Sequence, residues 1–201
     1  IDTPTLFRIN WGDGSAVNEY TPAEFATLLA GGGTVNHAFA DGNNGGTNRT
    51  ITLQVLDEDG THTAGTKNIV VNNVAPSVVL IGNAATDEAA GYTLNISATD
   101  PAGAADLLTY AIDWNDGSAV QNLTAAQLAT LSGNVPHTFA DDEDGPTNGT
   151  ARTISVTVND GDGGVTVENK VVTVNNVAPT AAVHCADTVA EASVDDLSVA
   201  V

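Results

Sequence analysis

The hydrophobic positions of this chain fall into short runs with a period of two. Phe7, Ile9 and Trp11 alternate with Arg8 and Asn10, the pattern of a strand with one face in and one face out. The alternation returns at Ile51, Leu53 and Val55, then at Tyr92, Leu94, Ile96 and Ala98. It returns again at Leu108, Tyr110, Ile112 and Trp114, and at Ile154, Val156 and Val158. Shorter strands are expected at 77–81 and 135–139. The run 165–174 closes the series, but its phase slips: Val165 and Val167 are odd-numbered, Val172 and Val174 even. That slip predicts a bulge near 168–170. Asp57-Glu58-Asp59-Gly60, Asp116-Gly117 and Asn159-Asp160-Gly161-Asp162-Gly163-Gly164 separate the runs, and such Asp-Gly pairs supply the positive φ of tight turns.

Two stretches break the period. Thr21-Pro22-Ala23-Glu24 sets a capping residue, a first-turn proline and a glutamate three residues after the cap ahead of Phe25, Leu28 and Leu29. Thr124-Ala125-Ala126-Gln127 repeats the arrangement ahead of Leu128 and Leu131. Both predict short helices, over 22–29 and 125–131.

These two helices are copies of one another, and so is most of the chain. Ile9 to Val17 returns as Ile112 to Val120, and Val71-Asn72-Asn73-Val74-Ala75-Pro76 as Val174-Asn175-Asn176-Val177-Ala178-Pro179, both 103 positions on. Two anchors with one offset define a tandem repeat. Gly31-Gly32-Gly33 is extra in the first copy and Gly149-Thr150-Ala151 in the second, which marks both triplets as loops. Seven or so short strands per unit of about 100 residues describe an immunoglobulin-like antiparallel sandwich. The expected division is 1–76, a module lacking its first two strands; 77–179, a complete module; and 180–201, the first two strands of a third. Glu191 then falls on Glu88, Leu197 on Leu94 and Val199 on Ile96. Open modules leave unpaired edges and half a core, to be completed by neighbouring modules of the same chain or of an identical one.

Composition narrows the function. Among 201 residues, 25 carboxylates face five Lys and Arg, for a net charge of −20. Nucleic-acid binding, which needs a basic footprint, is excluded. The charge suits an extracellular surface, divalent cations or a salty habitat. The single cysteine, Cys185, provides no disulfide framework. No apolar run is long enough for a membrane span, and the absence of methionine is expected of an internal piece of a longer or processed chain.

The acidic turns are the candidate chemistry. Calcium takes 6–8 oxygen ligands in irregular geometry. In such a sandwich the loop 99–106, the last hairpin turn and the preceding linker share one end. Asp100, Asp160 and Asp162, with Asn72 or Asn73, are therefore expected to converge at the joint between modules, and the first module offers Asp57 and Asp59. A weaker group, Glu88 with Asp141, Asp142 and Asp144, is expected at the opposite end. His37 and His137 have no recurring nucleophile beside them and are expected to pack against Trp11 and Trp114; Asp13 and Asp116 are expected to form turns. No catalytic residue is assigned, and Cys185 is expected to be a small structural residue. Four Asn-x-Ser/Thr sequons, at Asn48, Asn95, Asn122 and Asn148, are about what chance gives in a chain this rich in Ser and Thr.

At these residues the chain resembles the PKD-type domains, immunoglobulin-like modules of bacterial and archaeal surface proteins. Trp11-Gly12-Asp13-Gly14 and Trp114-Asn115-Asp116-Gly117 match the family's turn, and His37-Ala38-Phe39 and His137-Thr138-Phe139 stand where it usually has His-x-Tyr. Residues 53–60 and 156–163 resemble its Val-x-Val-x-Asp-x-Asp-Gly strand and turn, and Asn-Val-Ala-Pro is similar to its module joints. Asn115 for glycine and phenylalanine for tyrosine are departures. The resemblance implies an extracellular, cell-surface role without a reaction: a structural or adhesive repeat of a stalk or filament. The alternative it implies is an accessory module of a secreted hydrolase, binding protein or cell-surface or matrix polysaccharide.

Overall fold

The computed structural model describes residues 3–141, 149–184, 188, 191 and 198–200. Cys185, Asp142, Asp144 and Asn148 lie outside these residues. The chain is all-β, with strands paired almost wholly antiparallel and one short helix in each repeat. No described helix is long and apolar enough to cross a membrane.

In the first repeat, β1 (Leu6–Asn10), β2 (Asn18–Tyr20), β3 (Thr47–Asp57) and β4 (Gly60–Val71) form one sheet in the order β2-β1-β3-β4. The helix α1 (Pro22–Ala30) leaves β2 through the expected capping box, in which Thr21 and Glu24 exchange hydrogen bonds. Phe25 stacks on Phe7, centroids 4.1 Å apart, with Tyr20 tilted against it at 6.2 Å. These rings seal the helix to its sheet.

Residues 77–175 build two sheets. β5 (Ser77–Ile81), β7 (Gly91–Thr99) and β10 (Asn134–Thr138) pair in the order β10-β7-β5. β6 (Ala85–Asp87), β8 (Thr109–Asp113), β9 (Gln121–Thr124), β11 (Thr150–Asn159) and β12 (Val165–Asn175) pair as β6-β12-β11-β8-β9, with α2 (Ala125–Thr130) following β9. Tyr92, Leu94 and Ile96 from one sheet meet Ile112, Ile154, Val156, Val158, Val172 and Val174 from the other, around Trp114 and Phe139. Full burial of each such aliphatic side chain contributes about 1.5–3 kcal/mol, so the sandwich carries its own core.

Three details depart from the pattern. The expected bulge at 168–170 is absent: β12 pairs with β11 in unbroken register from Val165 to Val174. Val172 and Val174 enter the core, and Val165 and Val167 lie on the outer face, 50% and 53% exposed. The register shift falls instead between Leu53 and Gln54, opposite Gly65 and Thr63. Residues 34–40 of the first repeat are not a strand although 134–138 are, because the partner of β10 is β7 and no counterpart of β7 is among the described residues of the first repeat.

Beyond the second linker, β13 (Ala182–His184) pairs with β14 (Ser198–Ala200). Ala182 faces Ala200, Val183 faces Val199 and His184 faces Ser198. Moved back 103 positions, these are the pairs Val79 with Ser97, Leu80 with Ile96 and Ile81 with Asn95, which β5 makes with β7.

Candidate metal centre

The joint begins where β4 ends. Asn72-Asn73-Val74-Ala75-Pro76 leads into β5, and Pro76 fixes its own φ while restricting Ala75 to extended backbone. The Thr166 hydroxyl, at the start of β12, donates to the Pro76 carbonyl at 2.6 Å. This contact brings the β11–β12 turn against the linker.

Asp160 opens that turn and is 2% exposed. Its Oδ1 accepts from the Asp162 and Gly164 amides, each at 2.9 Å, and its Oδ2 from Asn73 Nδ2 at 2.8 Å. One carboxylate thereby forms a turn in the second repeat and grips the linker from the first. Gly164 is required here, since a Cβ would meet the Asp160 carboxylate and lie 2.8 Å from Ala75 Cα. From the first repeat, the Asn44 amide donates to the Asp162 carbonyl at 2.7 Å.

Two further loops bring carboxylates to this point. After β7, Asp100 accepts from the Ala102 amide at 2.8 Å through Oδ1, while its Oδ2 is buried without a hydrogen-bond partner. The chain then passes through a single 3-10 turn, Gly103–Ala105, and delivers Asp106, 4% exposed, with neither carboxylate oxygen hydrogen-bonded. Asp41 arrives from the first repeat, its Oδ1 also buried and unpartnered. Oxygens of Asp100, Asp106 and Asp160 lie within 4.8 Å of one another, as do those of Asp41, Asp106 and Asp162. Asp106 is common to both groups.

Burial, reinforced by the charges of Asp100, Asp41, Asp162 and Asp160, pushes the Asp106 carboxyl up to about 6. Burial acts on Asp160 in the same direction, but its hydrogen bonds from Asn73, Asp162 and Gly164 outweigh it and hold the group below the ordinary range. Asp160 is thus anionic and satisfied, whereas Asp106 at neutral pH is a buried anion without a donor. That arrangement is costly unless a cation balances it. The donors are all hard oxygens, which suit calcium or magnesium rather than zinc. Two ligands on a calcium ion at roughly 2.4 Å lie at most about 4.8 Å apart, so the spacing fits. The adjoining cleft, lined in part by Asp41, Asn72, Asn73 and Asp100, measures about 60 Å³, far below the roughly 300–1,000 Å³ of organic-ligand sites.

Asp100, Asp160, Asp162 and Asn73 therefore converge as the pattern suggests, with Asn72 lining the cleft. Asp57 and Asp59 do not. Asp57 accepts from the Asp59 and Gly60 amides at 2.9 and 3.1 Å and closes its own hairpin, at the far end of β4 and roughly 35 Å along the strand. Glu88 accepts from the Val177 amide at 2.6 Å, holding the second linker against its own repeat. Asp141 is exposed and joins neither carboxylate group. Asp41 and Asp106 carry no spacing signal: Asp106 stands alone six residues after Asp100, and Asp41 belongs to the other repeat. The repeat offset held a clue, because Asp41 is the counterpart of Asp141. Trailing-end acids of one repeat meet leading-end acids of the next.

The histidines pack as expected. His37 stacks on Trp11 and His137 on Trp114, at 4.4 and 4.1 Å and within 8° of parallel. Each Nε2 lies 2.7 Å from the turn carboxylate, Asp13 or Asp116. The Ser15 hydroxyl, ahead of His37, helps hold Asp13 below the ordinary carboxylate range. Asn115 takes the position of Gly12 with φ of 55°, which asparagine tolerates better than most residues.

No family model matches this chain, and no curated protein matches it. Among solved structures, extracellular domains 3–5 of Drosophila OTK are similar at 13% identity with a TM-score of 0.34. The match covers 65% of this chain and 40% of that one, so the chain spans less than half of that structure's length. At this distance the likeness carries no argument, and the fold rests on the strands and pairings described above.

Proposed function

We propose that this chain is a non-catalytic structural and adhesive repeat of an extracellular surface protein, a stalk or filament whose module joints are stiffened by calcium. The observation that carries the reading is Asp106: buried, unpartnered, and surrounded by carboxylates from both repeats. A divalent ion there would tie Asp41 of the first repeat to Asp100, Asp106, Asp160 and Asp162 of the second, converting a hinge into a strut. The division into 1–76, 77–179 and 180–201 and the PKD-type motifs support the same reading. Its partners are then neighbouring modules and surface or matrix polysaccharide. An accessory binding module of a hydrolase is less well supported, because it needs an exposed aromatic platform, and all nine aromatic residues are buried or half-buried.

Small-angle scattering in calcium and in chelator tests the proposal. Calcium is expected to narrow the distribution of inter-repeat distances. Asp160→Ala with Asp162→Ala should remain broad in both conditions while keeping its strand content by circular dichroism. An intact chain whose scattering ignores calcium would sink the joint assignment.

A further inference from the structure

We infer that the joint holds two divalent cations bridged by the Asp106 carboxylate. The inner ion is bound by Asp100, Asp106 and Asp160 within the second repeat, the outer one by Asp41, Asp106 and Asp162 across the two repeats. The inference rests on the calcium-joint reading and adds to it the number of ions and the task of each.

The five carboxylates fall into two trios, and each closes at three residues whose oxygens lie within 4.8 Å of one another. An oxygen ligand sits about 2.4 Å from calcium, so an ion centred in one trio does not reach all five groups. Asp106 belongs to both trios, is 4% exposed, and has no hydrogen bond to either oxygen. A carboxylate with two unused oxygens can serve one ion on each, and paired metal ions in proteins stand about 3.5–4 Å apart. Each trio has a further buried oxygen without a partner, Asp100 Oδ2 in the inner one and Asp41 Oδ1 in the outer. Charge points the same way. Among the described residues no lysine, arginine or histidine forms an ion pair with any of the five. One dication leaves these five groups three negative charges in excess, whereas two leave a single one, which lessens the cost of burying Asp106 and Asp160. The adjoining cleft of about 60 Å³ is lined by Asp41 from the outer trio and Asp100 from the inner. It has room for about four waters at roughly 10–15 Å³ each, which help to complete the 6–8 oxygens that calcium takes.

The two ions differ in what they hold. All three inner ligands belong to the second repeat: Asp100 and Asp106 flank the 3-10 turn Gly103–Ala105, and Asp160 opens the β11–β12 turn. Asp160 is already fixed by the Asp162 and Gly164 amides. The inner ion therefore makes no demand on the loop that carries Asp41, and it settles Asp106 in place. The outer ion takes Asp41 from the first repeat, in a loop that the Asn44 amide sets against Asp162, 2.7 Å from the Asp162 carbonyl. It alone joins carboxylates of both repeats, so the stiffening belongs to it. Fixing one repeat against the other costs freedom of motion, and the outer ion accordingly binds more weakly, by about tenfold or more.

The test is to count the calcium bound by the intact 201-residue chain, by equilibrium dialysis in about 0.15 M salt, which screens loose binding to the acidic surface. The parent should take two ions in two steps. Asp41→Asn should keep the inner ion, lose the outer one, and stay broad in small-angle scattering even when calcium saturates the parent. Asp106→Asn should lose both at that concentration. Circular dichroism of each variant checks that the strands are intact. A parent that takes one ion, or an Asp41→Asn chain that still takes two, overturns the inference while the calcium joint stands. An Asp41→Asn chain that takes none overturns the division of tasks, because the inner ion then depends on the first repeat. A parent that takes none overturns the joint reading itself, and the inference with it.

Discussion

In chelator, Asp106→Asn melts at a higher temperature than the parent chain; in saturating calcium the order reverses. Without the ion, Asp106 is a buried carboxylate whose two oxygens have no hydrogen-bond partner. An amide of the same shape removes that charge and offers two donors to the surrounding carboxylates, a gain of about 1–3 kcal/mol. With calcium present, the parent gains about 2.7 kcal/mol at a hundredfold excess of ion over Kd, and the variant has lost the ligand common to both groups. The pH dependence follows from the raised carboxyl, from the ordinary 3.8 to about 6. Folding favours its protonated form, so this stability is fully present below pH ~4 and is lost as pH rises through ~6. Thermal melts in chelator across that window should fall for the parent and stay flatter for Asp106→Asn. If the variant melts lower in chelator as well, Asp106 is satisfied by some other group and the joint needs no ion.

Ile112→Ala should cost about 2–5 kcal/mol, whereas Ile9→Ala, at the matching position of the first repeat, should cost roughly 1–2 kcal/mol in dilute solution. The chemistry and the strand are the same; only the second sheet differs. Ile112 is 0% exposed beneath β7, and Ile9 keeps part of its surface in water. Urea titrations of the two variants measure both costs. Equal costs in dilute solution would mean that the first sheet is already covered.

Most of the sandwich was legible because one-sided burial writes itself as period two. In β8 and β11 alternate residues enter the core, and the Asp-Gly turns mark where the chain must reverse. Where the pattern fails, the reason is local. Periodicity separates the faces of β12 without saying which one is buried, and so Val165 and Val167 suggested a bulge that the continuous register removes. β6 is three residues long and takes its place from the edge of β12, not from any alternation of its own. The joint was half legible: Asp160 and Asp162 announce a turn by their spacing, and Asp100 follows a recognisable strand. Asp41 and Asp106 are ligand candidates only because of how two repeats abut, a relation that no window of sequence contains.

The short parallel pairing of β6 with the end of β12 has a mechanical consequence. Tension along a row of such repeats enters 77–175 ahead of Ser77 and leaves it beyond Asn175. Because β6 and β12 run the same way, a pull drags them past each other in shear. The bonds from the Thr173 amide to the Ala84 carbonyl and from the Glu88 amide to the Asn175 carbonyl, both 2.9 Å, are then loaded together rather than peeled one by one. Among the described residues β4 is the edge strand of the first repeat's sheet. Stretched between two handles, the chain should therefore yield first in residues 6–71 and hold longest in 77–175, with the force borne by three residues at the rim of a sheet.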